Sequence, residues 1–340
     1  MRNKDHLKAE VLERFQTEKK KEQIARDLIE KYNLDDNVRS LARWVCYTIQ
    51  NKDTFDYTGT PYLGSDLKEY MAKVMQDKGS YDLLVFSDTH GWFADLKVLG
   101  CINKILQTNH FDEVCINGDV IDLPYISAHS KKLYNDGILN GYSEVEEIRY
   151  TTEQILKPLR LSTKAKIRLR YGNHCDRIRK PFLLNKGQLA SLAILYKTFE
   201  TTKLDEMLKL DSLDIISDES DIFNYFGLFD ITHGLSLAKN AGERNIQSYM
   251  GSGTSSHTHR LNAKYYTTKK GMYVWVETGC TRLKEQVEYF PTGIIPDWQT
   301  GFVHVHFYKQ NGEVQFNAQP YCVIDGRCYY NGKIHDGNSK

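Results

Sequence analysis

Four apolar residues, Leu83 to Phe86, stop abruptly at Ser87, and Asp88 and His90 follow with one residue between them. The run is short and bounded by turn formers, which fits a strand buried on both faces of a sheet. In extended backbone, residues two apart point the same way, so the carboxylate and the imidazole can converge on one cation. Ligand sites of open α/β sheets lie beyond the carboxyl ends of the strands, where this pair falls. A lone D-x-H is an ordinary loop sequence. The constraint on the fold comes from similar clusters further along: Gly118-Asp119 after the run 113–116, Gly172-Asn173-His174 after the alternating Ile167, Leu169 and Tyr171, then Thr232-His233 and His257-Thr258-His259.

Between the first two clusters, Leu96, Leu99, Ile102 and Leu106 mark the apolar face of a helix. Strand, helix and strand in so short a span predict a parallel crossover unit, right-handed by default. Helical sequence runs from about residue 126 to 161, with further helices over 186–199 and 203–210. A strand pair spans 222–226 and 228–232. Later hairpins pair 265–268 with 273–278 across Lys269, Lys270 and Gly271, and 302–308 with 314–317 across Asn311-Gly312. Asp325-Gly326 and Asn331-Gly332 add tight turns. The expectation is an α/β domain over 81–340, a two-sheet β-sandwich flanked by helices.

Residues 1–50 contain no Gly or Pro and predict a small all-α domain. Ile24, Ala25, Leu28 and Ile29 keep helical spacing, Asp35-Asp36-Asn37 supplies a turn and cap, and Leu41, Ala42 and Val45 resume the pattern. This is similar to a helix-turn-helix, with Arg39 and Arg43 on the candidate recognition helix for nucleic acid; a bundle used for dimerisation or packing fits equally. Residues 51–80, with Gly59, Pro61, Gly64 and Gly79 around an amphipathic piece at 66–75, read as a linker. The seven cysteines are scattered with no C-x-x-C, no apolar leader opens the sequence, and no run approaches the ~20 residues that span a bilayer, so a soluble cytoplasmic protein is expected. A net charge of +1 singles out no class of partner.

Taken in order, the clusters resemble the calcineurin-like metallophosphoesterases, whose pattern is D-x-H, G-D, G-N-H, a lone His and G-H-x-H. The resemblance covers about residues 81–279. It implies a four-layer fold and two divalent ions, manganese foremost, with iron, zinc or nickel as alternatives. It further implies that Asp88, His90 and His259 hold the first ion, that Asn173, His233 and His257 hold the second, and that Asp119 bridges them. His174 matches the residue that protonates the leaving oxygen. The chemistry agrees independently. Hydrolysing a phosphate ester needs a nucleophile at neutral pH and positive charge on the phosphoryl oxygens, and paired ions roughly 4 Å apart supply both. Taken singly, His233 reads as a hydrogen-bonded loop histidine, Asp119 as a helix cap and Asn173 as a turn residue. Five such coincidences in the right order are improbable.

Departures from the pattern are informative. Cys175 follows His174 where the family has an acid, and Asp176 comes one place later as the candidate to orient the imidazole. Ser256 replaces the Gly before H-x-H, and 247–255 lacks an apolar strand pattern. Asp122, three residues after Asp119, is expected to support the ligands from behind. His304 and His306 alternate with Val303, Val305 and Phe307, as on the outer face of a half-buried strand. Lys166, Arg168 and Arg170 share one strand face and Arg177 lies nearby; a solvated edge explains them, but beside a phosphate site they could contact a polyanion. The expected activity is therefore phosphoester hydrolysis, with phosphodiesters in DNA or RNA as favoured substrate. Alternatives are a phosphomonoesterase for nucleotides or phosphoproteins, and an inactive DNA-binding or scaffold protein.

Overall fold

In the computed structural model, residues 65–126, 143–181, 184, 186–234, 236–283 and 296–338 are described. The N-terminal helical segment, with Arg39 and Arg43, lies outside them. Helix α1 (Ser65–Lys78) forms because Leu67, Met71, Val74 and Met75 recur at helical spacing, and all four are buried in the same cluster as Tyr81, Leu83 and Val85. The far end of the stretch expected to be a linker is thus part of the domain core.

Strand β1 (Ser80–Phe86) leads to helix α2 (Leu96–Thr108), capped by Asp95, whose Oδ1 accepts the Lys97 and Val98 amides at 3.0 and 3.3 Å. Strand β2 (Glu113–Asn117) runs parallel to β1. Helices α3 (Glu144–Tyr150) and α4 (Lys157–Ser162) flank a π-helical turn at Thr151–Leu156. Strand β3 (Lys166–Arg170), short helix α5 (Asp176–Arg179), helices α6 (Lys186–Phe199) and α7 (Leu204–Met207) and strand β4 (Ile215–Asp218) follow. The strand β4 carries too few apolar residues to announce itself in the sequence.

The second sheet begins with the hairpin β5 (Ile222–Tyr225) and β6 (Phe229–Thr232). Helix α8 (Ala241–Tyr249) precedes β7 (Ser252–Ser255), and β8 (Leu261–Thr268) pairs with β9 (Gly271–Thr278). The chain then returns to the first sheet through β10 (Gly301–Gln310) and β11 (Glu313–Cys322), and ends in the hairpin β12 (Arg327–Tyr330) and β13 (Lys333–Asp336). The sheet orders are β11-β10-β1-β2-β3-β4 and β5-β6-β7-β9-β8. Period-two alternation sends Leu84, Phe86, Ile167 and Leu169 into a core with the helices. Leu83, Val85, Phe223, Phe229, Val305 and Phe307 fill the core between the sheets. Helix α8 covers the far side, where Tyr249 stacks on Trp275. The fold is a two-sheet sandwich flanked by helices. Among the described residues, no helix is long and apolar enough to cross a membrane.

Two expectations are corrected. Residues 252–255 form a strand without an apolar pattern, because Ser, Gly and Thr satisfy their polar atoms internally. Thr254 donates to the Val276 carbonyl, and Ser255 Oγ accepts from Trp275 Nε1 and Asn245 Nδ2. The second correction concerns the basic face of β3. Arg168 and Arg170 are 0% exposed and point between the sheets, not toward solvent. Arg168 pairs with Glu113 and Asp218 at 2.8 Å each and donates to the Tyr225 hydroxyl. Arg170 meets Asp218 at 3.0 Å and the Ser220 carbonyl at 2.7 Å. Both guanidiniums are buried and paired with carboxylates inside the sandwich, which turns them away from a solvent-borne substrate.

Candidate metal centre

The loops after β1, β2, β3, β6 and β7 meet at one end of the sandwich, because parallel strands place their carboxyl ends together. Five of the expected ligands adopt left-handed backbone: Asp88 (φ 53), His90 (φ 52), Asp119 (φ 47), His257 (φ 63) and His259 (φ 58). For residues with a Cβ this costs about 1–2 kcal/mol each, so surrounding bonds must hold them. The amides of Asp88 and His90 donate to the carbonyls of Gly118 and Asp119 at 3.2 and 3.0 Å, and the Gln299 amide donates to His259. Gly118 (φ 94) admits the His233 ring where a Cβ would collide with it.

The first group of ligands is Asp88, His90 and His259, whose ligand atoms all lie within 4.8 Å of one another. His90 Nε2 is 3.2 Å from His259 Nε2, and Asp88 Oδ1 is 3.8 Å from the former and 3.2 Å from the latter. Oδ1 is buried and meets neither in hydrogen-bond geometry. Two imidazole nitrogens and an orphaned carboxylate oxygen facing one point suit a cation, because metal–ligand bonds of about 2.1 Å separate neighbouring ligands by about 3.0–3.4 Å. Burial would raise the Asp88 carboxyl, but the His259 and His233 imidazoles hold it at about 2. Burial pushes His90 down to about 4, with Asp122 opposing in part, so at neutral pH its ring is uncharged and ready to ligate.

The second group is Asp119, His233 and His257. His233 Nε2 lies 3.1 Å from Asp119 Oδ2 and 3.0 Å from Asn173 Oδ1, while its Nδ1–H donates to the Asn117 carbonyl at 2.9 Å. That bond fixes the ring with Nε2 toward the pocket. Burial works to lower the His233 pKa, but the Asp119 carboxylate outweighs it and raises the imidazole to about 9. Burial and then the His233 charge lower His257. Asp119 is held well below the usual carboxylate range by His233 and His174, against its burial. Its Oδ1 accepts the His174 amide at 2.9 Å, leaving Oδ2 to the pocket.

Five loops presenting D-x-H, G-D, G-N-H, His and H-x-H at one end of a two-sheet sandwich decide the architecture. The described domain is an α/β sandwich of two sheets flanked by helices, an arrangement that resembles the calcineurin-like metallophosphoesterases. No family model matches the sequence, and no curated protein matches it. Among solved structures, Vacuolar Protein Sorting 29 from Cryptosporidium parvum matches at 10% identity, covering 72% of this chain and all of its own, with a TM-score of 0.33. A predicted phosphoesterase from Streptococcus pneumoniae TIGR4 matches at 13% identity over 72% of this chain and 98% of its own, with a TM-score of 0.27. Zinc-complexed Vps29 from Entamoeba histolytica matches at 12% identity over 76% and 99%, with a TM-score of 0.34. At such values the site must be judged on its own residues.

Around these candidate ligands, Asp122 does the orienting work. Its Oδ1 lies 3.1 Å from His90 Nδ1 and 2.6 Å from His174 Nδ1, so one carboxylate fixes both rings. Asp176, expected to orient His174, instead pairs with Arg179 at 2.9 Å and Lys180 at 2.6 Å on its own helical turn. That expectation is corrected: i,i+3 and i,i+4 neighbours reach the carboxylate first. Cys175 is buried, and burial pushes its thiol up to about 12. Of the three expected substrate arginines, only Arg177 reaches the pocket. It donates to the Asp122 and Leu123 carbonyls and places NH2 3.2 Å from His174 Nε2.

Several contributors carried no sequence signal. Ser256, where a Gly was expected, donates to the Asn117 carbonyl at 2.8 Å and accepts from Asn117 Nδ2 at 2.7 Å, tying the ends of β7 and β2 together. Glu147 on α3 accepts the Asp122 and Leu123 amides at 2.6 and 3.0 Å. Burial and then the Asp122 charge push Glu147 up to about 8. Arg282 stacks on Phe93 at 4.6 Å with NH1 4.0 Å from Asp122 Oδ2, and the Trp298 ring stands 4.2 Å from that of His259.

Proposed function

We propose that this chain is a metal-dependent phosphoesterase acting in the pocket between the five loops. The observation that carries the proposal is the convergence of imidazole and carboxylate atoms at ligand-to-ligand distances, with one buried carboxylate oxygen lacking a hydrogen-bond donor. Asp88, His90 and His259 would hold one ion, and Asn173, His233 and His257 a second, with Asp119 between them. Imidazole with carboxylate oxygen suits manganese, iron, zinc or nickel. When bound, such ions supply Lewis acidity toward phosphoryl oxygens and a water of lowered pKa, near ~7.

The remaining residues bind and move protons. With Nδ1 fixed on Asp122, His174 keeps Nε2 toward the pocket. There the doubly protonated ring could give its Nε2 proton to a departing oxygen while Arg177 turns from that nitrogen to the phosphoryl oxygens. The Arg177 guanidinium beside that nitrogen adds positive charge for phosphoryl oxygens. The preference for nucleic acid drew on the basic patch around β3 and on the amino-terminal segment; burial of Arg168 and Arg170 weakens the first ground, the second lies outside the described residues, and the class proposed is phosphate esters, diester or monoester.

The test is turnover of a chromogenic phosphodiester and its monoester by the full chain with Mn²⁺ or Zn²⁺. Cleavage of at least one is expected, and Asp119→Asn should lower it by more than about a hundredfold. If the loaded chain cleaves neither, the proposal fails and a non-catalytic binding role takes its place.

A further inference from the structure

Asp82 lies near the amino end of β1, about 20 Å along the strand from Asp88 at 3.3 Å per residue. Its neighbours across the sheet are the two histidines of β10: Asp82 pairs in register with His306, and Leu84 with His304. Residues two apart on a strand share a face, so both rings project beside the carboxylate. His304 Nε2 is 2.8 Å and His306 Nδ1 2.7 Å from the same oxygen, Asp82 Oδ1. All three ligand atoms lie within 4.8 Å of one another. The histidines are therefore not idle on an outer strand face.

The surroundings favour a cation. His304 Nδ1 is 3.1 Å from the Tyr330 hydroxyl on β12, which fixes the ring with Nε2 toward Asp82. Asp112 accepts the Asp82 amide at 2.9 Å and takes the Lys78 ammonium at 2.6 Å, so that lysine is neutralised by another acid. Among the described residues, the Asp82 carboxylate meets two imidazoles and no lysine or arginine. The side chains of Asp82, His304 and His306 are 22%, 20% and 41% exposed, leaving room for water as a fourth ligand.

We propose that Asp82, His304 and His306 form a separate mononuclear site for a divalent transition-metal ion, fastening β1 to β10 at the end of the sheet remote from the five loops. Two imidazole nitrogens and one carboxylate oxygen suit Zn²⁺, Cu²⁺ or Ni²⁺ and disfavour Mg²⁺ and Ca²⁺. The test uses Zn²⁺ on the full chain, counting ions per chain by equilibrium dialysis and metal analysis. His306→Ala, at a half-exposed position, is expected to bind one zinc fewer than wild type while melting as wild type does in chelator. An unchanged zinc count overturns the site. A second measurement needs no variant: zinc at ten times its dissociation constant should slow carbethoxylation of His306 about tenfold in the wild-type chain. Labelling that zinc leaves unchanged overturns the proposal equally.

Discussion

Arg168→Met separates a structural arginine from a substrate contact. Methionine keeps much of the apolar stem but removes donors to Glu113 Oε1, Asp218 Oδ2 and the Tyr225 hydroxyl. Asp218 stays compensated, because Arg170 lies 3.0 Å away and Ser220 donates through its amide and hydroxyl. Glu113 does not: its remaining donors are the uncharged hydroxyls of Tyr81 and Tyr225, each at 2.7 Å. Leaving one member of a buried ion pair uncompensated costs about 3–5 kcal/mol, a large share of the roughly 5–15 kcal/mol that holds a domain together. Urea denaturation in chelator, which removes any contribution from bound ions, should show that loss in the midpoint at constant slope. Adding Glu113→Gln should restore most of it, since the stranded charge is then gone. If Arg168 instead faced a polyanion, the variant would melt normally and bind its substrate less tightly. A stability loss below about 1 kcal/mol would refute the buried-network account.

Two further outcomes bear on the metal centre. Asp122→Asn should weaken metal binding at the Asp88–His90–His259 group by about 10–100-fold in chelator competition, because the carboxylate that orients His90 is replaced by a weaker acceptor; an affinity within about threefold of wild type would show that Asp122 does not orient the ring. His233 stands at about 9 against an ordinary 6.5, so in the metal-free protein its contribution to stability is full below 6.5 and is lost as pH rises through 9. An ion must displace that proton, so calorimetry at pH 7 in two buffers should report about one proton released from this group, and zero release would contradict the assignment.

The strand-end clusters were legible because ligand chemistry restricts residue type and spacing, and because a run such as Leu83 to Phe86 can hardly be anything but a buried strand. Other features depended on partners far along the chain. Alternation put Arg168 and Arg170 on one face of β3, yet it could not say which face met solvent; Glu113 and Asp218, from the strands on either side, decided that. Strand β7 escaped notice because its polar side chains bond to Trp275, Asn245 and Val276, and its burial owes nothing to hydrophobicity.

The same distinction explains why Asp122 and not Asp176 orients His174. Proximity in sequence favoured Asp176, but it sits one helical turn from Arg179 and Lys180, and those neighbours capture it. Asp122 lies 52 residues away from His174 and meets it because two parallel strands deliver their loops to one edge. A site assembled from strand ends draws its ligands from short local motifs, while the groups that orient those ligands come from adjacent loops. For this reason the left-handed backbone at Asp88, His90, Asp119, His257 and His259 requires the loops to be held together: Asp88 bonds Gly118, His90 bonds Asp119, His257 bonds the Asp88 carboxylate and His259 bonds Gln299, each across to another loop. Cutting one such tie should therefore loosen the centre as a unit.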